Sequence, residues 1–139
     1  MQAVMTKEEM SEFLEQVFPQ VKDDFVVESI DGVNTVMRLK VAERHLRPGG
    51  TVSGPSMFSL ADVSAYVATM ARIGKEAMTV TTNCSLDFMR KPDAGKDLIA
   101  RTTLLKLGRT LSVSNVLIYS EGNDAPVARA NMTYAIPPK

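Results

Sequence analysis

Two segments of the chain carry apolar residues at helical spacing. The first lies near the start, where a capping box of Thr6 and Glu9 precedes the apolar positions and Pro19 follows them. This pattern predicts a short amphipathic helix over about residues 6–18. The second segment, about residues 55–72, is apolar on nearly every side and stops before Gly74, so we expect the rest of the fold to enclose it. The apolar positions of the first helix are Met10, Phe13, Leu14, Val17 and Phe18.

The remaining pattern is typical of β-strands. Runs rich in Val, Ile, Leu and Thr are separated by the turn segments Asp31-Gly32, Pro92–Gly95, Gly108-Arg109 and Glu121–Asp124. Consecutive strands joined by short turns indicate antiparallel pairing over most of the sheet. The order α-β-β-α-β-β-β-β predicts one α+β domain over residues 1–139, an antiparallel sheet wrapped around a long central helix, which is the hot-dog architecture. The predicted strands are Phe25–Ile30, Val33–Ala42, Met78–Phe88, Asp97–Leu107, Thr110–Ser120 and Val127–Ile136.

Composition narrows the class of protein. The chain has 139 residues, 45% of them hydrophobic, and its 16 basic and 16 acidic side chains cancel, so nothing indicates a nucleic-acid partner. The single cysteine, Cys84, excludes an internal disulfide and suits the cytoplasm, and the acidic, amphipathic start is not typical of a signal peptide. The apolar stretch Pro55–Ala71 is too short and too polar for a membrane span, and no residues have metal-ligand spacing.

A glycine-rich loop followed by a lone carboxylate is the clearest candidate site. Gly54 lies at the predicted start of the second helix, where free N–H groups can stabilise an oxyanion, and Asp62 lies within that helix. Eight residues of helix separate them by roughly 12 Å, so they cannot both contact one reacting carbonyl. If both are catalytic, the site must combine two subunits of a dimer. The hydroxyls of Ser59 and Thr81 are candidate partners for Asp62, which would act as a base or a nucleophile.

Two stretches resemble PaaI-type hot-dog acyl-CoA thioesterases. The run GTVSGPSMFSLADVSAYVA is similar to the family signature, in which a loop ending in HGG leads into a helix with a catalytic Asp. The later FMRKPDAG and GRTL segments are similar to a family turn and hairpin, and the resemblance extends over about residues 30–136. It implies hydrolysis of a small or medium acyl-CoA or aryl-CoA thioester. It also implies a homodimer that pairs into a homotetramer, with coenzyme A present as part of the substrate and no separate cofactor.

The resemblance also assigns roles to individual residues. Asp62 falls on the catalytic acid, Gly54 on the glycine of the oxyanion hole and Thr81 on a hydroxyl near the Asp. Arg47 stands where the family often has a polar residue, such as Asn, that assists the oxyanion. Ser53 replaces the His of HGG, and Pro55 follows Gly54 where the family has another glycine. The positions that fall on coenzyme A contacts are Met89, Arg90, Lys91, Pro92, Gly108, Arg109 and Thr110.

Other interpretations of the same residues remain open from sequence. Asp62 could be a structural carboxylate paired with Arg44, Arg47 or a hydroxyl. An enoyl-thioester hydratase of the same fold would need a histidine near the acid, and His45 is the one histidine in the chain. A chain that binds acyl-CoA without turning it over is the third possibility. Cys84 has no neighbouring cation to activate it, so we expect a packing role for it.

Overall fold

The first predicted helix is present in the computed structural model, which describes residues 2–138. Helix α1 spans Lys7–Val17, and the capping box is formed as expected. The Thr6 hydroxyl accepts a hydrogen bond from the Glu9 N–H (3.1 Å), and the Glu9 carboxylate accepts one from the Thr6 N–H (2.9 Å). The helix ends at Phe18 because Pro19 cannot continue its hydrogen bonding.

Six strands form one sheet in which every pairing is antiparallel. The predicted strand boundaries agree with the structure to within a few residues. The order across the sheet is β1-β2-β4-β5-β6-β3. The strands are β1 (Phe25–Ile30), β2 (Asn34–Leu39), β3 (Val80–Phe88), β4 (Leu98–Leu107), β5 (Leu111–Ser120) and β6 (Pro126–Ala135).

The expected pairing of consecutive strands fails at one turn. The Pro92–Gly95 turn does not join neighbours, because β3 lies at the sheet edge beside β6 while β4 lies between β2 and β5. The connection therefore crosses the ends of two strands, and its backbone is attached to both. The Met89 N–H donates to the Val127 carbonyl of β6 (2.8 Å), and the Asp93 N–H donates to the Ser120 hydroxyl of β5 (2.9 Å).

The β1–β2 hairpin is held at its turn and against the long helix. The Asp31 carboxylate accepts hydrogen bonds from the Val33 and Asn34 N–H groups (2.7 and 2.6 Å), which holds the pKa of that carboxyl below its usual range. Arg72, near the end of the long helix, donates to the Thr35 hydroxyl and to the Asp31 carbonyl, both at 2.6 Å. These bonds satisfy a buried guanidinium that would otherwise be costly.

Helix α2 spans Gly54–Ile73 and packs against the sheet with most of its residues buried. Gly74 ends it with φ = 91°, a conformation that glycine adopts without strain. The helix is not enclosed on every side, however. Its open stripe, which the chain's own residues leave partly uncovered, consists of Pro55, Phe58, Ser59, Asp62 and Tyr66.

A six-stranded antiparallel sheet around one long helix is the hot-dog fold, and that prediction is confirmed. The core lies between the concave face of the sheet and α2, and α1 closes one side of it. No helix within residues 2–138 has both the length and the apolar character that a bilayer crossing requires.

Candidate active site

The carboxylate of Asp62 is held by two hydroxyl groups. Thr81, on β3, and Tyr134, on β6, both donate to the same atom, Asp62 Oδ1, at 2.6 Å. The Tyr134 hydroxyl also lies 2.7 Å from the backbone carbonyl oxygen of Asp62. Within residues 2–138, no group donates to Oδ2. One carboxylate oxygen is therefore anchored, while the other is available to a reacting molecule.

Tyr134 can act only as a hydrogen-bond donor to this carboxylate. Burial raises the pKa of its hydroxyl far above the ordinary value, and the negative charge of Asp62 raises it further. The hydroxyl thus keeps its proton at any physiological pH. Sequence reasoning missed Tyr134, because its proximity to Asp62 depends on the β3–β6 pairing, in which Thr81 and Tyr134 are direct partners.

Two of the partners that the sequence offered for Asp62 do not contact it within one chain. The Ser59 hydroxyl is exposed and does not bond to Asp62. Arg44 does not pair with Asp62 either, because its guanidinium pairs with Asp24. The partners of Asp62 within residues 2–138 are hydroxyls, which leave the negative charge of the carboxylate uncompensated.

Asp62 opens onto an apolar pocket of about 420 Å³. The rings of Tyr66 and Tyr134 lie side by side in it, with centroids 6.1 Å apart and planes tilted by 48°. Side chains from the end of α1, from the segment just before β3 and from the start of β3 also line it. Such a pocket can hold an apolar group next to a carboxylate, as hydrolysis of a substrate with an apolar arm requires.

A second pocket, also of about 420 Å³, lies at the start of α2. It gathers Arg47, Gly54 and the Met89–Pro92 segment, all predicted site residues, together with Phe88. A Cβ at position 54 would lie 3.2 Å from the Phe88 ring, so a side chain there requires that ring to shift slightly. Asp62 is absent from the lining of this pocket. One chain thus divides the predicted residues into two places, as helix geometry requires.

The Gly54 N–H is free to bind an external acceptor. In the first turn of α2, the Ser56 N–H donates to the Ser53 hydroxyl (3.3 Å) and the Met57 N–H to the Ser53 carbonyl (3.1 Å). Pro55 has no N–H to satisfy. For the Gly54 N–H, residues 2–138 supply no acceptor. Ser53, which replaces the family His, serves as the N-cap of the helix.

The remaining predicted coenzyme A contacts lie elsewhere in the chain. Gly108, Arg109 and Thr110 form the β4–β5 turn and line a pocket of about 540 Å³ near the end of α2. They share no pocket with Met89–Pro92. Within one chain, the structure does not bring the two predicted segments together.

His45 does not belong to the Asp62 site. It is buried, its Nδ1 accepts a hydrogen bond from the Ala42 N–H (2.8 Å), and its Nε2 lies 3.1 Å from the Asp24 carboxylate. The imidazole therefore braces the loop before α2 and is absent from the lining of the Asp62 pocket. The hydratase interpretation needs a histidine beside the acid, and this chain does not place one there.

Cys84 is not an activated nucleophile. Burial raises the pKa of its thiol, and the negative charge of Asp62 raises it further. A thiol with a raised pKa carries little of the reactive thiolate form. Across residues 2–138, no group of three or more His, Cys, Asp or Glu side chains is arranged to hold a metal ion.

The six-stranded sheet around one long helix places this chain in the hot-dog class of proteins. The chain belongs to the thioesterase superfamily, whose sequence model matches residues 49–127, and it is accordingly a thioester hydrolase. The resemblance to PaaI-type thioesterases is confirmed.

Similar proteins agree with this assignment. A crystal structure from Silicibacter sp. TM1040, described as a "putative thioesterase", is 58% identical with a TM-score of 0.93, over 99% of this chain and 96% of that one. A mutant of the phenylacetic acid degradation protein PaaI of Thermus thermophilus is 26% identical with a TM-score of 0.73, over 86% of this chain and 99% of that one. A Pseudomonas aeruginosa protein named "putative esterase" is 30% identical over 103 residues, which are 73% of this chain and 75% of that protein.

Proposed function

We propose that this thioester hydrolase cleaves acyl-CoA thioesters with a small or medium acyl or aryl group, using Asp62 as its catalytic carboxylate. The observation that carries the proposal is the Asp62 carboxylate, whose Oδ1 is fixed by two hydroxyls, whose Oδ2 has no donor within residues 2–138, and which lines an apolar pocket. A fixed carboxylate next to a bound carbonyl is suited to base or nucleophilic catalysis.

Two routes are chemically complete at this site. As a base, Asp62 takes a proton from water while the water oxygen bonds to the thioester carbon. The tetrahedral oxyanion then collapses, the C–S bond breaks, and the thiolate of coenzyme A leaves and receives the proton. As a nucleophile, Asp62 bonds directly to that carbon and expels the thiolate, and water then hydrolyses the mixed anhydride. Both routes use only water and protein groups, so the proposal includes no cofactor.

The Gly54 N–H of a partner chain is the proposed oxyanion donor. It is free at a helix N-terminus, where the helix dipole favours negative charge. Arg47 lines the same pocket and could donate to the same carbonyl or bind a phosphate. Because this pocket is separate from Asp62 in one chain, the proposal requires a homodimer with two composite sites.

The β3 edge supports this dimer. Seven of the nine β3 residues are exposed, including Val80 and Phe88, and the strand contains no lysine or proline to discourage pairing. The open stripe of α2 is likewise left for a partner to cover. We propose that two copies associate through β3 and the open stripe, since an uncovered edge and an apolar stripe favour a symmetric interface.

Coenzyme A is the proposed handle of the substrate. Arg90 and Lys91 place positive charge beside Gly54, where phosphate groups could pair with them. Gly108–Thr110 would contribute only from another subunit, because they lie in a separate pocket. We therefore retain the pairing of dimers into a homotetramer as part of the proposal. The free thiol of Cys84 is compatible with a cytoplasmic enzyme.

A panel of thioesters tests the proposed function. We expect the wild-type protein to release one free thiol per acid from acetyl-, hexanoyl-, octanoyl- or phenylacetyl-CoA, with kcat/KM on the order of 10⁴ M⁻¹s⁻¹ for the best member. Thiol release is followed with a thiol-reactive dye and the acid by mass spectrometry. Calorimetric binding of these compounds with no turnover would instead identify a non-catalytic binder. Loss of the conjugated absorbance of crotonyl-CoA without thiol release would identify a hydratase.

Removing one hydroxyl should slow the reaction without weakening substrate binding. We expect Tyr134→Phe to lower kcat about tenfold, or ~1.4 kcal/mol, because Asp62 Oδ1 loses one of its two donors. KM should stay within about twofold, since the phenol contacts the carboxylate and not the coenzyme A handle. Tyr119→Phe, on β5 and outside this pocket, is the matched control and should leave both constants unchanged. A rise in KM alone would contradict this role for Tyr134.

A further inference from the structure

One wall of the Asp62 pocket is made of apolar side chains that the chain leaves exposed. Val17 and Phe18, at the end of α1, are 41% and 37% exposed. Met78, just before β3, and Val80, its first residue, are 75% and 53% exposed. Exposed apolar residues that cluster around one cavity indicate a binding surface, whereas single apolar residues scattered over a protein surface are ordinary.

The charges around this pocket restrict what can occupy it. Of the residues between 2 and 138 that line it, Asp62 is the one carboxylate, and none is a lysine, an arginine or a histidine. Burial raises the pKa of Tyr66, and the pKa of Tyr134 is also raised, so both phenols are neutral. A second carboxylate on the acyl group would meet the charge of Asp62, and the residues of the same chain that line this pocket offer it no cation.

The position of the wall relative to Asp62 indicates which molecule fits. The occupant must present an electrophilic carbon to the carboxylate and an apolar arm to the four exposed side chains, and an acyl thioester has both. Val17 and Phe18 lie outside the matched family segment, residues 49–127. This part of the wall comes from the end of the N-terminal helix α1, which the family match does not cover.

We propose that Phe18 and Met78 are specificity-determining residues that bind the distal part of an uncharged, apolar acyl chain longer than four carbons. This inference rests on the proposed function, because it takes Asp62 as the place of the thioester carbon. Phe18 is held in the lining of the pocket because its N–H caps α1 through the Leu14 carbonyl (2.8 Å), and a 3-10 turn begins directly after it at Pro19. Helix α1 thus sets the acyl length that the enzyme prefers.

Acyl chain length is the variable that tests this inference. We expect Phe18→Ala to lower kcat/KM for octanoyl-CoA about tenfold and to change the value for butanoyl-CoA less than twofold, because only the longer chain reaches the phenyl ring. Met78→Ala, in an exposed segment where truncation does not threaten folding, should act in the same direction. Leu105→Ala removes an exposed side chain outside the pocket and should change neither value. Equal losses for both substrates, or no loss in the Phe18 and Met78 variants, would overturn the inference.

A binding experiment separates this inference from the proposed function. Octyl-CoA and ethyl-CoA thioethers cannot be hydrolysed, so calorimetry measures their affinity whether or not the protein turns over thioesters. We expect Phe18→Ala to weaken octyl-CoA about tenfold and ethyl-CoA less than twofold, and 3-carboxypropyl-CoA to bind the wild type at least tenfold more weakly than octyl-CoA. If neither Phe18→Ala nor Met78→Ala changes the affinity for octyl-CoA, these side chains do not bind the acyl chain and the inference is refuted. Absence of turnover with this binding pattern intact would refute only the proposed function.

Discussion

Replacing Asp62 with asparagine is expected to lower kcat for acyl-CoA hydrolysis by at least about 10³-fold, or ~4 kcal/mol, while the protein stays folded. The amide oxygen of asparagine can still accept the hydrogen bonds from Thr81 and Tyr134, so the local structure has no reason to collapse. The amide cannot take a proton from water and is a poor nucleophile toward a thioester. The loss should therefore appear in kcat, with KM nearly unchanged.

The matched control for this variant is Asp124→Asn. Asp124 is an exposed carboxylate in the turn between β5 and β6, away from the Asp62 pocket, and its replacement should leave thiol release within about twofold of wild type. Circular dichroism and thermal melting establish that both variants are folded. Equal rates for wild type and Asp62→Asn would refute catalysis by this carboxylate. A single turnover of the wild type in ¹⁸O-water detects the nucleophilic route when water attacks the aspartyl carbon of the anhydride, because the acid then leaves with an unlabelled aspartate oxygen and the label enters Asp62.

Two inactive variants should restore activity when they share a dimer. In the first, Asp62→Asn removes the carboxylate. In the second, Gly54→Val places a branched side chain against the Phe88 ring at the oxyanion donor. If the site combines two chains, a mixed dimer contains one site with both changes and one site with neither. Refolding equal amounts of the two variants together makes half of the dimers mixed, each with one intact site of two. The mixture should thus show about a quarter of the wild-type rate.

The chain itself offers a control for this mixing experiment. Thr81→Val acts on the same side of the site as Asp62, because both residues of one chain contribute to one carboxylate. Mixed dimers of Asp62→Asn with Thr81→Val contain no intact site. The mixture should therefore be no more active than the Thr81→Val protein that it contains. Mass spectrometry of differently tagged chains shows that mixed dimers have formed. If mixed dimers form and the Gly54→Val pair also shows no recovery, the two-chain site is wrong.

The elements of this fold could be predicted from sequence because each has a local signal. The capping box at Thr6, the turn at Asp31-Gly32 and the stop at Gly74 are short-range patterns, and the structure places a boundary at each. The position of β3 could not be predicted in this way. The Pro92–Gly95 turn has the composition of a hairpin, whereas the β3–β6 pairing depends on residues about 50 positions apart.

The candidate site could be predicted only in part, for the same reason. Asp62 stood out as a lone charge on an apolar helix, and Thr81 was identified as a hydroxyl on the next strand, at a position where the resembling family often has one. Tyr134 gives no local signal, since a tyrosine in a strand reads as an ordinary packing residue. Its hydroxyl comes within 2.6 Å of Asp62 Oδ1 only after β6 pairs with β3. The N-terminal wall of the pocket also depends on packing between distant segments.

The segment that crosses from β3 to β4 is attached mainly through main-chain groups. The N–H groups of Met89 and Asp93 donate to β6 and β5, so exchanging these side chains leaves both bonds intact. Natural selection could therefore vary the sequence of this segment at little cost in folding. The wall formed by Phe18 and Met78 lies in the other pocket. The region that binds coenzyme A and the region that binds the acyl group could then change independently of each other among descendants of this enzyme.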